Sequence, residues 1–189
     1  MSETTMTLDQ QLAEFRQRKF LATPLAGAIA WTGIGIAGAA FESEFARCMS
    51  VFVGTGMILY LAMFVAKFTG EDFFGRNREK NVFDTYFLLT VAQAVSVYAI
   101  AIPFFLVDRS SLPMTVGILT GLMWLPFSGF VGHWVGIFHA AARTAAVLAI
   151  WYRLPDLRFV AIPVAIVAIY AVTLVILVQR HKSVAAIIA

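Results

Sequence analysis

Apolar residues run through this chain in long blocks separated by short polar segments. Neither the two-residue alternation of a half-buried strand nor the single stripe of a soluble amphipathic helix persists across them. Six blocks are long enough to cross the ~30 Å hydrocarbon core of a bilayer as helices: residues 20–41, 46–67, 82–107, 112–130, 131–152 and 159–178. Their separators read FESE, FTGEDFFGRNREKN, DRSS, PFSGFVGH and RLPDLR. The fourth and fifth blocks are the least sharply divided. Only Pro126, Ser128, Gly129 and Gly132 mark a turn there, and both a tight hairpin and a re-entrant bend satisfy the pattern. The expected fold is all-α, a polytopic transmembrane helix bundle of about six spans. Residues 1–19 form an amphipathic N-terminal segment, 20–178 the transmembrane domain and 179–189 a C-terminal tail.

The N-terminal segment has its own signals. Thr7 and Gln10 fit a capping box, and Leu8, Leu12 and Phe15 follow at helical spacing before Arg16, Arg18 and Lys19. A short helix lying on the inner leaflet and a frayed tail carrying topogenic charge both fit this pattern. With the N-terminus inside, the inner segments hold Arg16, Arg18, Lys19, Lys67, Arg76, Arg78, Lys80, Arg180 and Lys182, against Arg47, Arg109, Arg153 and Arg158 outside. Nine against four, with Arg143 left out, places both termini in the cytoplasm. Trp151, Tyr152, Trp124 and Trp134 fall where an aromatic belt is expected. Basic residues before an apolar run ending in Ala37-Gly38-Ala39 also suggest a signal peptide. The run is longer than a usual signal core, however, and five further blocks follow, so it reads as a retained first helix.

Composition sharpens this picture. At 60% hydrophobic and 13% charged residues, with a mean hydropathy of +0.82, the chain is far from the roughly 25% charge of a soluble domain. The net charge of +3 sits beside the apolar blocks, not in a separate basic domain, so it serves topology and the partner expected is the bilayer, not nucleic acid. The lone Cys48 excludes an intramolecular disulfide.

Three motifs invite chemistry and are better read otherwise. Gly33-Ile34-Gly35-Ile36-Ala37-Gly38 spells the dinucleotide fingerprint but lies inside an apolar span, with no strand before it and Glu42 and Glu44 far too close. Small residues at this spacing, with Ala22, Ala26 and Ala30 and with Ala46, Ser50 and Gly54 on the next block, predict close helix packing. The same faces offer a route to a homo-oligomer. Ser128 lacks the flanking glycines of a nucleophile elbow and reads as a backbone cap. His133 and His139 are six residues apart, about 240° around a helix, so they do not form a zinc pair. No metal, cofactor or catalytic residue is assigned. In the loop 70–81, Glu71, Asp72 and Glu79 balance Arg76, Arg78 and Lys80, and Phe73-Phe74 either dips into the interface or meets a partner.

One residue breaks the apolar pattern. Arg143 sits near the middle of the fifth block, and a cation at the bilayer centre costs about 2.5–3.5 kcal/mol. His139 lies one helical turn earlier, and Gly136 and Ala140 leave the same flank open to a neighbouring helix or a ligand. No Asp or Glu falls at Arg143's depth. Gln93, Ser96 and Tyr98 on the third block share its level if both helices run straight, and Asp84 reaches it only if tilted. Carbonyls freed by Pro103 and Pro163 are a further source of partners. The candidate ligand-binding set is His139, Arg143, His133, Trp134, Gln93 and Ser96, opening toward the cytoplasm and accepting an anionic small molecule or lipid headgroup. Two alternatives compete with it. One is an intramembrane enzyme with His139 as base and Arg143 as anion clamp. The other is a scaffold or assembly partner.

Three stretches, FRQRKFLATPLAGAIAW, AIPFFLVDRSSLPMTVGILTGLMWLPFSGFVGHWVGIFHAAARTAAV and RFVAIPVAIVAIY, resemble a family of small bacterial six-span proteins known only as a domain of unknown function. The resemblance implies a multi-pass protein of the bacterial cytoplasmic membrane and carries no activity. FLATPLAGAIAW and FVAIPVAIVAIY also echo one another, which would pair the first and last spans.

Overall fold

The computed structural model describes residues 6–72 and 79–188, and the Phe73-Phe74 pair of the 70–81 loop lies outside them. The element order is α1 (Leu8–Gln17), α2 (Ala22–Ala40), α3 (Glu44–Gly56), α4 (Ile58–Thr69), α5 (Val82–Ser96), α6 (Tyr98–Val107), α7 (Leu112–Gly121), α8 (Trp124–Val131), α9 (Val135–Arg153) and α10 (Arg158–Ile188). Short 3-10 turns, Arg109–Ser111 and Pro155–Leu157, precede α7 and α10. Five stretches are helical, long and apolar enough to cross a membrane: Ala22–Ala40, Val82–Val107, Arg109–Val131, Val135–Arg153 and Pro155–Ala186. The pair α3 and α4 passes the same test together but bends by 47° at Met57. The bend follows Gly54-Thr55-Gly56, where the Thr55 hydroxyl donates back to Val51 O at 2.5 Å; both features loosen a helix.

Hydrogen bonds between the connecting segments show that the helices alternate in direction. At one end of the bundle, Cys48 Sγ donates to Arg109 O at 3.6 Å and Arg158 Nη1 to Ser110 Oγ at 2.8 Å. At the other end, Lys19 Nζ donates to Thr69 O at 3.1 Å, and Glu71 Oε1 accepts from the Leu21 and Ala22 amides at 3.0 and 2.9 Å. Those two amides open α2, where orphan donors and the helix dipole favour a carboxylate.

α2 and α10 pack along each other antiparallel. Small residues permit the approach. A Cβ added at Gly38 would stand 2.1 Å from Phe159 O, and one at Gly35 would stand 3.2 Å from Pro163 Cβ. On the neighbouring face, a Cβ at Gly54 would stand 2.7 Å from Ile34 Cγ1. The glycine run of the dinucleotide-like motif is therefore a packing surface. Outside this centre the helices carry many exposed large apolar side chains, among them Leu89, Val95, Ile100, Phe104 and Leu106 on α5 and α6. Such a continuous apolar exterior suits a surround of lipid rather than water.

The break between α8 and α9 is a tight turn. Gly132 adopts φ +64, the His133 amide donates to Ser128 O at 3.2 Å, and the Ser128 hydroxyl donates to His133 O. Ser128 is thus a backbone cap. α8 then lies directly on α9, where a Cβ at Gly136 would stand 2.1 Å from Trp124 O. The flank that Gly136 leaves open is taken by helix backbone.

The N-terminal segment forms α1 with both arms of the capping box present: Gln10 N donates to Thr7 Oγ1 at 3.3 Å and Thr7 N to Gln10 Oε1 at 2.8 Å. Its apolar face docks on the bundle. Phe15 is buried against Phe20 and Phe83, with ring centroids 4.9 and 5.9 Å apart. Phe20 makes the link to α2 with φ +56, a conformation most residues avoid, and its ring meets Phe127 edge-on at 5.3 Å. Asn81 fixes α1 from below. Its Nδ2 donates to Gln11 O and Glu14 Oε2, both at 2.7 Å, while its Oδ1 caps α5 by accepting from Phe83 N at 2.9 Å. Asn81→Ala removes cap and clamp together and is expected to cost about 1–2 kcal/mol. Faster amide hydrogen exchange confined to α1 and the first turn of α5 would show it, and unchanged α1 protection would refute the clamp. At the C-terminus, residues 179–188 continue α10 as helix.

Candidate functional site

Arg143 and His139 lie near the middle of α9, 1% and 0% exposed, so neither charge nor ring edge reaches solvent or lipid. Four helices enclose them. From α7, Thr120 Oγ1 accepts from Arg143 Nη2 at 2.9 Å while donating its own hydrogen to Val116 O at 2.7 Å. From α10, Tyr170 Oη accepts from Arg143 Nη1 at 3.2 Å. The guanidinium carbon lies 5.3 Å from the Trp31 ring of α2 and 5.7 Å from the Tyr170 ring, within cation–π range.

Glycines make the space. A Cβ at Gly121 would stand 2.9 Å from Arg143 Cδ, and one at Gly27 would stand 2.5 Å from the Tyr170 hydroxyl. The long Arg143 side chain therefore fills a slot cut for it between α7 and α2.

The hydrogen bonds also fix the His139 tautomer. Thr173 Oγ1 gives its single hydrogen to Ile169 O at 2.8 Å, so in its 2.9 Å contact with His139 Nδ1 it must accept. Nδ1 carries the proton of the neutral ring and Nε2 presents a lone pair. The ring is held between Trp124, stacked at 4.3 Å, and Tyr170 at 4.7 Å. Three buried polar atoms here make no hydrogen bond: Arg143 Nε, His139 Nε2 and Trp31 Nε1. Arg143 makes no ion pair either, because the salt bridges among the described residues join Arg18 to Glu14 and to Asp84.

The candidate set from the sequence separates into three places. His139 and Arg143 form the buried centre. Gln93 and Ser96 are exposed on α5, where Ser96 Oγ donates to Ala92 O at 3.1 Å, so neither meets Arg143. Tyr98 is paired with Thr55 at 2.5 Å, and Asp84 is held by Arg18 at the α1 end. Shared depth proved a poor guide because α5 and α6 lie on the far side of α7 from α9. His133 and Trp134 belong to the α8–α9 turn, where Trp134 is exposed and its ring lies 5.5 Å from His133. Burial, and after it the nearby Arg180 charge, hold the His133 imidazole below its ordinary value. Trp124 is no belt residue. It is buried inside the bundle because α8 turns it onto His139.

Trp124 also lines a cavity of about 360 Å³ at the α1 end. Phe15, Phe20 and Phe87 form its apolar wall, and its charged residues are Arg18, Lys19, Glu71, Asp72 and Asp84, with His181 beside them. Sequence reasoning missed Trp31, Thr120, Trp124, Tyr170 and Thr173 as members of the centre. The available signal was a polar or amphipathic residue in mid-block on spans other than the third.

These features define a class: an all-helical bundle of membrane-length apolar helices around a buried cationic centre. The chain matches the family of unknown function DUF7010 over residues 8–180 and belongs to that family. Neither the curated proteins nor the solved structures gave a match to the chain.

Proposed function

We propose that this is a six-span protein of the bacterial inner membrane, both termini cytoplasmic, that binds or passes an anionic small molecule or lipid headgroup at the His139–Arg143 centre. The observation that carries the reading is a fully buried Arg143 with no carboxylate partner and an unpartnered Nε among the described residues. A buried charge left with two neutral hydroxyl acceptors for five donors is under-compensated. An anion supplies what the protein leaves out. Arg143 Nε and Trp31 Nε1 are donors, whereas His139 Nε2 accepts; an oxyanion bearing a hydroxyl has partners for both kinds of group, and because neither cavity described is lined by Arg143, His139 or Trp31, it enters only as these side chains move apart. Hydrogenphosphate, a phosphomonoester and hydrogencarbonate have that form.

Access runs from the α1 end. Trp124 separates the 360 Å³ cavity from His139, so swinging its ring aside joins the two. The excess of basic residues at that end supports a cytoplasmic mouth.

The test is thermal unfolding of purified protein in detergent, titrated separately with inorganic phosphate and hydrogencarbonate. Binding to the native state alone raises the midpoint with ligand concentration. Wild type is expected to gain several degrees at about a hundred times the dissociation constant. Arg143→Met, which keeps the volume, is expected to gain less than wild type. Equal gains in both proteins, or none in wild type, would sink the site.

A further inference from the structure

Three segments far apart in sequence bring basic side chains together at the α1 end. Arg16 comes from the last turn of α1, His133 from the α8–α9 turn and Arg180 from α10. They line a cleft of about 580 Å³ that has Ile176 and Val184 as apolar wall and Trp134 at its edge. No Asp or Glu lines it, and none of the three basic residues makes an ion pair among the described residues.

Each group is held in position. The Arg180 guanidinium donates to Arg16 O, and to Arg18 O and Val131 O at 3.3 Å each. Arg16 Nε donates to Phe130 O at 3.2 Å, and its guanidinium lies on Gly132, where a Cβ would stand 2.9 Å from Cζ. Gly132 is thus required twice, for its positive φ and for the bare surface under Arg16. His133 Nδ1 accepts from Val135 N at 3.2 Å, which leaves the proton of the neutral ring on Nε2 as a donor.

Two fixed guanidinium groups with no acid beside them among the described residues repel one another, and an anion that also accepts from the imidazole stabilises the three. Paired arginines suit phosphate in particular. We propose that this cleft binds a phosphate group at the membrane surface, with Arg16 and Arg180 supplying charge, His133 a hydrogen bond, and Ile176 and Val184 a wall for alkyl carbons. An anionic phospholipid brings phosphate and alkyl carbon together, and a soluble phosphate brings the first alone. The site is separate from the Arg143 centre and stands without it.

Native mass spectrometry of the full chain, released from detergent with equimolar phosphatidylglycerol and phosphatidylcholine, tests the proposal. Wild type is expected to retain phosphatidylglycerol over phosphatidylcholine by about fivefold or more. Arg16→Gln is expected to lose about fivefold of that preference, with Arg16→Lys recovering most of it. Arg16 is chosen because its side chain holds a single backbone carbonyl, whereas Arg180 holds three. Arg16→Gln is expected to cost the same share of the preference in an Arg143→Met background, which separates this site from the buried one. Competition by inorganic phosphate assigns the cleft to a soluble phosphate, and failure to compete assigns it to the lipid. Undiminished binding in Arg16→Gln overturns the site. So does a wild type that takes up both lipids equally and forms no phosphate adduct.

Discussion

Gly38→Ala and Gly136→Ala are each expected to destabilise the bundle by about 3 kcal/mol or more, whereas Gly33→Ala stays within about 1 kcal/mol of wild type. The difference lies in what the new methyl group meets. At Gly38 it would stand 2.1 Å from Phe159 O, and at Gly136 2.1 Å from Trp124 O and 3.0 Å from Ser128 N, all of them backbone. A flexible side chain can rotate away, but a helix can retreat only by separating from its neighbour along its whole length. At Gly33 nothing lies within 4 Å, and alanine there gains helix propensity. Unfolding in mixed micelles, followed by circular dichroism, gives the comparison. Because Gly33 and Gly38 are the first and last glycines of one motif, equal tolerance at both would remove the packing account of that motif altogether.

Arg143→Ala is expected to cost about 3–5 kcal/mol, and Arg143→Met no more than about 1.5 kcal/mol, measured by thermal unfolding in the same detergent. Alanine empties the slot between Gly121, Trp31 and Tyr170 and leaves a cavity that helix backbones on both sides cannot close. Methionine refills it with a flexible apolar chain and removes a charge whose desolvation nothing in the protein fully offsets. Thr120 loses little in either variant, since its hydroxyl hydrogen already goes to Val116 O. Equal losses for the two variants would mean that the guanidinium charge, not the volume, holds the helices together.

The helices were legible because their cause is local. Block length and the separators set α2, α5–α6, α9 and the start of α10 within a few residues, and Thr7 with Gln10 set the start of α1 through its capping box. The bend at Met57 and the turn at Gly132 were less so, because a Gly-Thr-Gly run or a lone glycine between apolar residues permits a break without requiring one. The centre was half legible. A cation in mid-block with a histidine one turn away announces itself, yet its partners cannot be found by depth alone. Helices at one depth surround one another in an order that sequence does not state. Thr120, Tyr170 and Trp31 reach Arg143 because α7, α10 and α2 flank α9, while Gln93 at a similar level faces outward. Trp124 was misplaced for the same reason: an indole near a block end fits a belt until α8 turns it inward.

The carbonyls at the end of α1 carry a further consequence. Arg16 O and Arg18 O are received by Arg180, which follows them by 164 and 162 residues. α1 is made before α10, so these two carbonyls stay open until α10 folds against them, while Asn81, Phe83 and Asp84 already hold the helix. The docking of α1 therefore closes in two stages, and α10 supplies the second.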